Sequence, residues 1–120
     1  MAEALRPLGI TPAYLSVLFT LSEVAGATQG ELAKASAIQQ PTMAVTLRRM
    51  ERDGLIFHVQ DNADRRRLII RLTPKAKALV PQVEALARGI NKAAFEGLPA
   101  DAPAQLIELL RQTAHNLENA

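Results

Sequence analysis

Arginine carries the chemistry in this chain, and its spacing says which chemistry. Arg48, Arg49 and Arg52 cluster in one segment, and Arg65 and Arg66 follow further on, directly after Asp64. A guanidinium keeps its charge at every physiological pH, and its planar fork of donors matches phosphate oxygens. The groups that would add catalysis are missing or scattered. His58 and His115 lie far apart, and neither belongs to a His-x-x-x-His or Glu-x-x-His pair. Cysteine is absent, which removes disulfides, thiolate zinc sites and thiol-based peroxide sensing. There is no glycine-rich phosphate loop and no nucleophile elbow. Glu51 and Asp53 are paired carboxylates, but they sit among arginines and read as helix-surface salt bridges. The expectation is a binding protein: not an enzyme, with no metal and no cofactor.

Charge is segregated along the chain. The formal net charge is only +2. Between Lys34 and Lys77, however, ten Lys or Arg face four Asp or Glu, a surplus of +6, while the rest has four against eight, or −4. The central segment is fitted to meet phosphate, and such binding falls steeply with salt. Aromatic residues make up 3% of the chain, too few for the stacking platforms of single-strand binders. Double-stranded DNA is the expected partner. No apolar run approaches the roughly 18 residues of a membrane span. The first residues carry Glu3 and Arg6 rather than a signal peptide. With cysteine absent as well, a cytoplasmic location is expected. At 120 residues the chain reads as one domain, and 48% apolar content suffices for a core.

These arginines need elements to aim them. Thr28 and Glu31 form a capping box that opens a helix, with Leu32 and Ala33 inward and an end near Ser36. Ala37 and Ile38 make a turn. Pro41 fits the first turn of a second helix, where its missing N–H costs nothing. On that helix Met43, Leu47 and Met50 share a packing stripe, while Thr42, Val45, Arg49 and Arg52 lie opposite. Asp53-Gly54 ends it, with Gly54 left-handed. Leu55 to Val59 and Arg67 to Leu72 read as paired strands, with Leu68, Ile70 and Leu72 on one face. Asp61 to Arg66 forms a polar tip whose arginine is suited to the minor groove. This is a winged helix-turn-helix layout: mainly α with a small β-hairpin wing.

Three pieces, in order, resemble the MarR family of bacterial transcription regulators, most closely its SlyA-like branch. They are Ile38-Gln39-Gln40-Pro41-Thr42-Met43, the run from Leu47 to Ile56, and Asp64-Arg65-Arg66 with Arg71-Leu72-Thr73. The family's Asp-x-Arg wing motif falls on Asp64 and Arg66, at the usual spacing from Leu72-Thr73. The likeness spans roughly residues 8 to 118. It implies a homodimer on a pseudo-palindromic operator, often released by a small phenolic or anionic effector; which residues bind that effector stays unknown. On this basis Arg66 is the minor-groove arginine, oriented by Asp64, and Arg65 meets phosphate. Gln39, Gln40, Pro41, Thr42 and Val45 face base edges, Val45 against a thymine methyl. Arg48, Arg49 and Arg52 track the backbone, and Ser36 donates to phosphate.

The flanks read as scaffold. Residues 1 to 10 hold a helical stub from Met1 to Leu5, interrupted by Pro7 and Gly9 and shorter than the helix the family usually carries there. Thr11-Pro12 starts a helix with Leu15, Leu18, Phe19, Ser22 and Ala25 inward and Gly26 at its end. Tyr14 is expected as a half-buried packing residue, with its hydroxyl in an effector pocket as the alternative. Thr73-Pro74 starts a helix with Ala76, Leu79, Val80, Val83, Leu86, Ala87, Ile90 and Ala94 on one side and a kink at Pro81. Lys75 and Lys77 oppose its dipole, which suits a nearby phosphate as well as it suits chance. After Gly97-Leu98-Pro99, Asp101 caps a last helix with Leu106, Leu109, Leu110, Thr113 and Leu117 inward. Apolar stripes of that length mark an interface, solved by two-fold pairing of the N- and C-terminal helices. The chain is thus expected as a single MarR-like domain over 1–120, with a core at 11–73 and a dimerisation region at 74–120. Two further readings stay open: an architectural or anti-silencing DNA binder without effector, and a winged-helix protein–protein module.

Overall fold

A computed structural model describes residues 2–119, apart from the side chains of Ala2 and Ala4. Helix α1 (Ala2–Leu5) runs into a 3-10 turn at Arg6–Leu8, closed by Gly9 at φ 71°. Met1, part of the expected stub, lies outside the described residues. A second 3-10 turn (Pro12–Tyr14) leads into α2 (Leu15–Glu23). Then come α3 (Gln29–Ser36), α4 (Gln40–Arg52), β1 (Ile56–Gln60), β2 (Leu68–Leu72), α5 (Pro74–Ala94) and α6 (Ala102–Glu118). The strands form an antiparallel hairpin in which Ile56 faces Leu72 and His58 faces Ile70.

The chain divides into two compact units, one up to Leu86 and one from Ala87 on. The first holds the whole core: Leu5, Val17, Leu18, Leu32, Met43, Met50, Leu55 and Val83 are essentially inaccessible. Ala76 and Val80 of α5 join it, and Leu79 and Leu86 pack against its edge. α5 continues through Pro81. Thr73 caps this helix as its position suggests, its Oγ1 accepting from Ala76 N (3.2 Å). In the second unit, Ile90 and Ala94 are exposed and no described residue of α6 is buried.

Several expectations need correcting. Thr11 does not cap an α-helix; it precedes a 3-10 turn, and its side chain makes no capping bond. That turn advances three residues per revolution instead of 3.6 and delays the α-helix to Leu15. The buried set becomes Tyr14, Val17, Leu18 and Leu21, while Ser22 and Ala25 are exposed. The helix also stops early, because Val24 turns extended at φ −128°, ψ 151°. The chain then runs to Ala27, which exchanges two backbone bonds with Ile70 (3.1 and 2.8 Å). Gly26 permits this approach, since a Cβ there would lie 2.5 Å from Ile69 Cγ2. Leu68, expected inward, is 48% exposed because it lies at the wing end, beyond the core that takes Ile70 and Leu72. Asp101 precedes α6 without a capping bond; its carboxylate accepts from Gln105 Nε2 (2.8 Å) instead.

Candidate nucleic-acid interface

α3 begins with a complete capping box. Glu31 N donates to Thr28 Oγ1 (3.1 Å), and Thr28 N donates to Glu31 Oε1 (3.0 Å). The fold therefore favours the ionised Glu31, with pKa below the ordinary carboxylate value chiefly because of these Thr28 bonds. The helix ends at Ala37 in a left-handed conformation (φ 53°), and Ile38 N returns to Ala33 O at 3.0 Å. This tight reversal delivers the chain into α4 three residues later.

α4 is divided as its sequence periodicity requires. Met43, Leu47 and Met50 are buried. Gln39, Gln40, Pro41, Thr42, Val45, Arg48, Arg49 and Arg52 are exposed. The N-terminal half thus presents small polar and apolar groups, and the C-terminal half presents cations. Gln29 Nε2 donates to Gln40 O (3.4 Å), tying the start of α4 to α3.

The wing tip is built by two aspartates. Asp61 Oδ1 accepts from Ala63 N (3.0 Å). Asp64 Oδ1 accepts from both N (3.0 Å) and Nε (3.3 Å) of Arg66. Arg66 is held at its root while its side chain is 93% exposed, and Arg65 is exposed beside it. Between α3, α4 and the wing runs an open groove of about 550 Å³, lined by Gln29, Arg48, Phe57, His58 and Arg66 among others. Its walls bring Arg48 of α4 and Arg66 of the wing to one concavity.

Ser36 departs from its expected role. Its hydroxyl, half-buried at the end of α3, donates to Ser16 Oγ (2.8 Å), so its proton is engaged inside the fold. Lys75 reaches Asp53 O (2.8 Å), at the negative end of α4, where a cation is favourable. This gives it a structural partner without any phosphate. His58 Nδ1 lies 2.8 Å from Glu51 Oε1, linking β1 to α4. Asp53 is more than a surface partner of arginine, because it also accepts from the buried Tyr14 hydroxyl (2.7 Å).

Arg67 is the residue the sequence pattern did not single out. Its guanidinium lies 3.5 Å from both Glu31 and Asp61, and its backbone closes the loop with Asp61 and Asp64 (2.9 Å each). It bridges the wing to the capping box of α3. Arg65, Arg66 and Arg67 are consecutive, and only the fold tells which one turns back.

A helix-turn-helix followed by a basic two-stranded wing defines a winged helix DNA-binding protein. Residues 8–67 match the MarR family. The chain is 30% identical to the transcriptional repressor CouR bound to a 23-mer DNA duplex, covering 93% of this chain and 80% of that one at TM-score 0.84. It is 27% identical to a mutant MarR from E. coli complexed with operator DNA, covering 93% and 81% at TM-score 0.84. It is 30% identical to Bordetella bronchiseptica BpsR, whose DNA binding is regulated by 6-hydroxynicotinic acid, covering 88% and 80% at TM-score 0.77. The chain belongs to the MarR family and is a DNA-binding transcription regulator.

Proposed function

We propose that the chain acts in the cytoplasm as a homodimer on a pseudo-palindromic operator, within the SlyA-like branch that its turn and wing motifs resemble. The observation that carries this reading is the division of α4: Met43, Leu47 and Met50 are buried, while the opposite face is free beside the exposed Arg66. Each α4 enters the major groove with Gln39, Gln40, Pro41, Thr42 and Val45 toward base edges. Arg48, Arg49 and Arg52 follow the phosphates, with Arg65. Arg66, rooted on Asp64, enters the flanking minor groove. Ser36 takes no part through its hydroxyl proton, which Ser16 holds.

The dimer rests on α6. Leu109, Leu110 and Leu117 are exposed in the single chain, and pairing them with a second copy buries them under two-fold symmetry. That places two recognition helices one DNA turn apart, about 34 Å. In this reading residues 1–120 act as one MarR-like domain, with 11–73 contacting DNA and 74–120 building the dimer. A small aromatic or phenolic anion modulates binding, a reading supported by the ligand of BpsR.

Titration of labelled duplex DNA tests the assignment. Arg66→Ala removes a groove contact and weakens binding by about 1–3 kcal/mol. Arg49→Ala removes a phosphate contact and flattens the salt dependence. If neither variant changes affinity, the basic surface does not face DNA.

A further inference from the structure

Tyr14 is 3% exposed, yet its hydroxyl is not spent on the core. It reaches Asp53, 39 residues away, at 2.7 Å from Oδ2. The other carboxylate oxygen, Oδ1, accepts from Arg52 Nε at 3.2 Å. Adjacent residues on a helix do not face each other. This pair meets because Asp53 has left the helix, at φ −80°, ψ 0°. Lys75 holds the Asp53 carbonyl at 2.8 Å. Asp53 is therefore held at its carboxylate by a buried ring and at its backbone carbonyl by the start of α5. With Nε engaged, the plane of the Arg52 guanidinium is set, and its four terminal N–H groups remain for phosphate. The Arg52 side chain is 70% exposed.

We infer that Tyr14 is a positioning residue for DNA contact: its hydroxyl fixes the Asp53 carboxylate, which aims Arg52 at the end of the recognition helix. The inference rests on the reading above that Arg52 meets the DNA backbone. Protonation states agree with the geometry. Burial, and then the Asp53 bond, raise the Tyr14 pKa and keep the hydroxyl a donor. The Tyr14 bond, and then Arg52, lower the Asp53 pKa and keep it an anion. An Asp53 freed from Tyr14 would leave Arg52 unaimed and set a mobile negative charge near the phosphates.

The test is a double-mutant cycle on a fluorescein-labelled random-sequence duplex, read as affinity against salt. Arg52→Ala lowers the salt slope by about one for each recognition helix engaged. Tyr14→Phe is expected to weaken binding severalfold and to lower the slope in the same way. The double variant is then no weaker than Arg52→Ala alone. A Tyr14→Phe protein that melts earlier but keeps its full slope overturns the inference, as do losses that multiply in the double variant. If Tyr14→Phe does not fold, Asp53→Asn keeps an acceptor for Tyr14 while removing the charge; its slope must fall too, and an unchanged slope overturns the inference. Wild-type protein that binds no duplex sinks the DNA reading itself. Binding that is sensitive to Arg66→Ala but indifferent to Tyr14→Phe sinks only this proposal.

Discussion

Helices α4 and α6 both carry bulky apolar side chains along one side and polar ones along the other, yet they meet different fates. α4 hides Met43, Leu47 and Met50 at 0, 6 and 0% exposure, while α6 leaves Leu109, Leu110 and Leu117 at 66, 60 and 74%. In α4 the apolar stripe is satisfied within the chain, so the opposite face is free to specialise. That face collects Thr42, Val45, Arg49 and Arg52, all of them exposed. In α6 the apolar stripe is itself the unsatisfied face. Each leucine left in water forgoes about 1.5–3 kcal/mol of burial. A periodic stripe thus marks a packing surface without saying where its partner is. A partner in the same chain yields a positioned helix, and a missing one leaves the stripe in water.

Similar truncations in the two helices should have very different costs. Met50→Ala opens a cavity in the core and should cost about 2–5 kcal/mol of folding stability, measured by chemical denaturation. Leu110→Ala should leave the stability of the individual fold nearly unchanged, because the side chain already faces water. Equal losses in dilute monomer would mean that α6 is packed in a way its exposure does not show. The next effect is on assembly. Leu109→Glu with Leu110→Glu should convert the dimer to monomer in analytical ultracentrifugation. It should also lower operator affinity about a hundredfold or more, since two linked half-site contacts become one. A persistent dimer would move the interface away from α6.

The smallest effect concerns acid. Asp53 and Glu31, at the end of α4 and the start of α3, both have folded pKa values below their ordinary ones. Stability from such groups is fully present above the unfolded carboxylate pKa and is lost as pH falls through the depressed folded values. Asp53→Asn and Glu31→Gln should each flatten the acid limb of a stability–pH curve. An acid limb as steep in both variants as in the wild type would place the sensitive carboxylates elsewhere.

Much of the helix-turn-helix and wing was legible in the sequence because its signals are local. The Thr28–Glu31 capping box spans three residues, the α4 stripe repeats within one helix, and Gly54 takes its positive φ of 75° at the helix end. Asp64 and Arg66 are two residues apart, so their bond could be foreseen. What escaped depends on contacts between distant segments. Arg67 owes its role to Glu31, Ser36 to Ser16, Lys75 to the Asp53 carbonyl, and Tyr14 to Asp53. The phase of α2 escaped for another reason: a proline-led 3-10 turn and an α-helix share the same start signal but differ in residues per turn. Leu68 alternates correctly with Ile70 and Leu72, yet alternation does not say where the core runs out.

The most direct test of the central claim, that α4 and the wing read duplex DNA as a symmetric pair, is selection of bound sites from random duplex DNA at two salt concentrations. A two-fold symmetric site with half-sites one helical turn apart should be enriched, and its binding should weaken as salt rises. Salt-sensitive binding with no enriched motif would contradict it and assign the basic surface to shape and charge alone; no binding at either salt would take DNA away from that surface altogether.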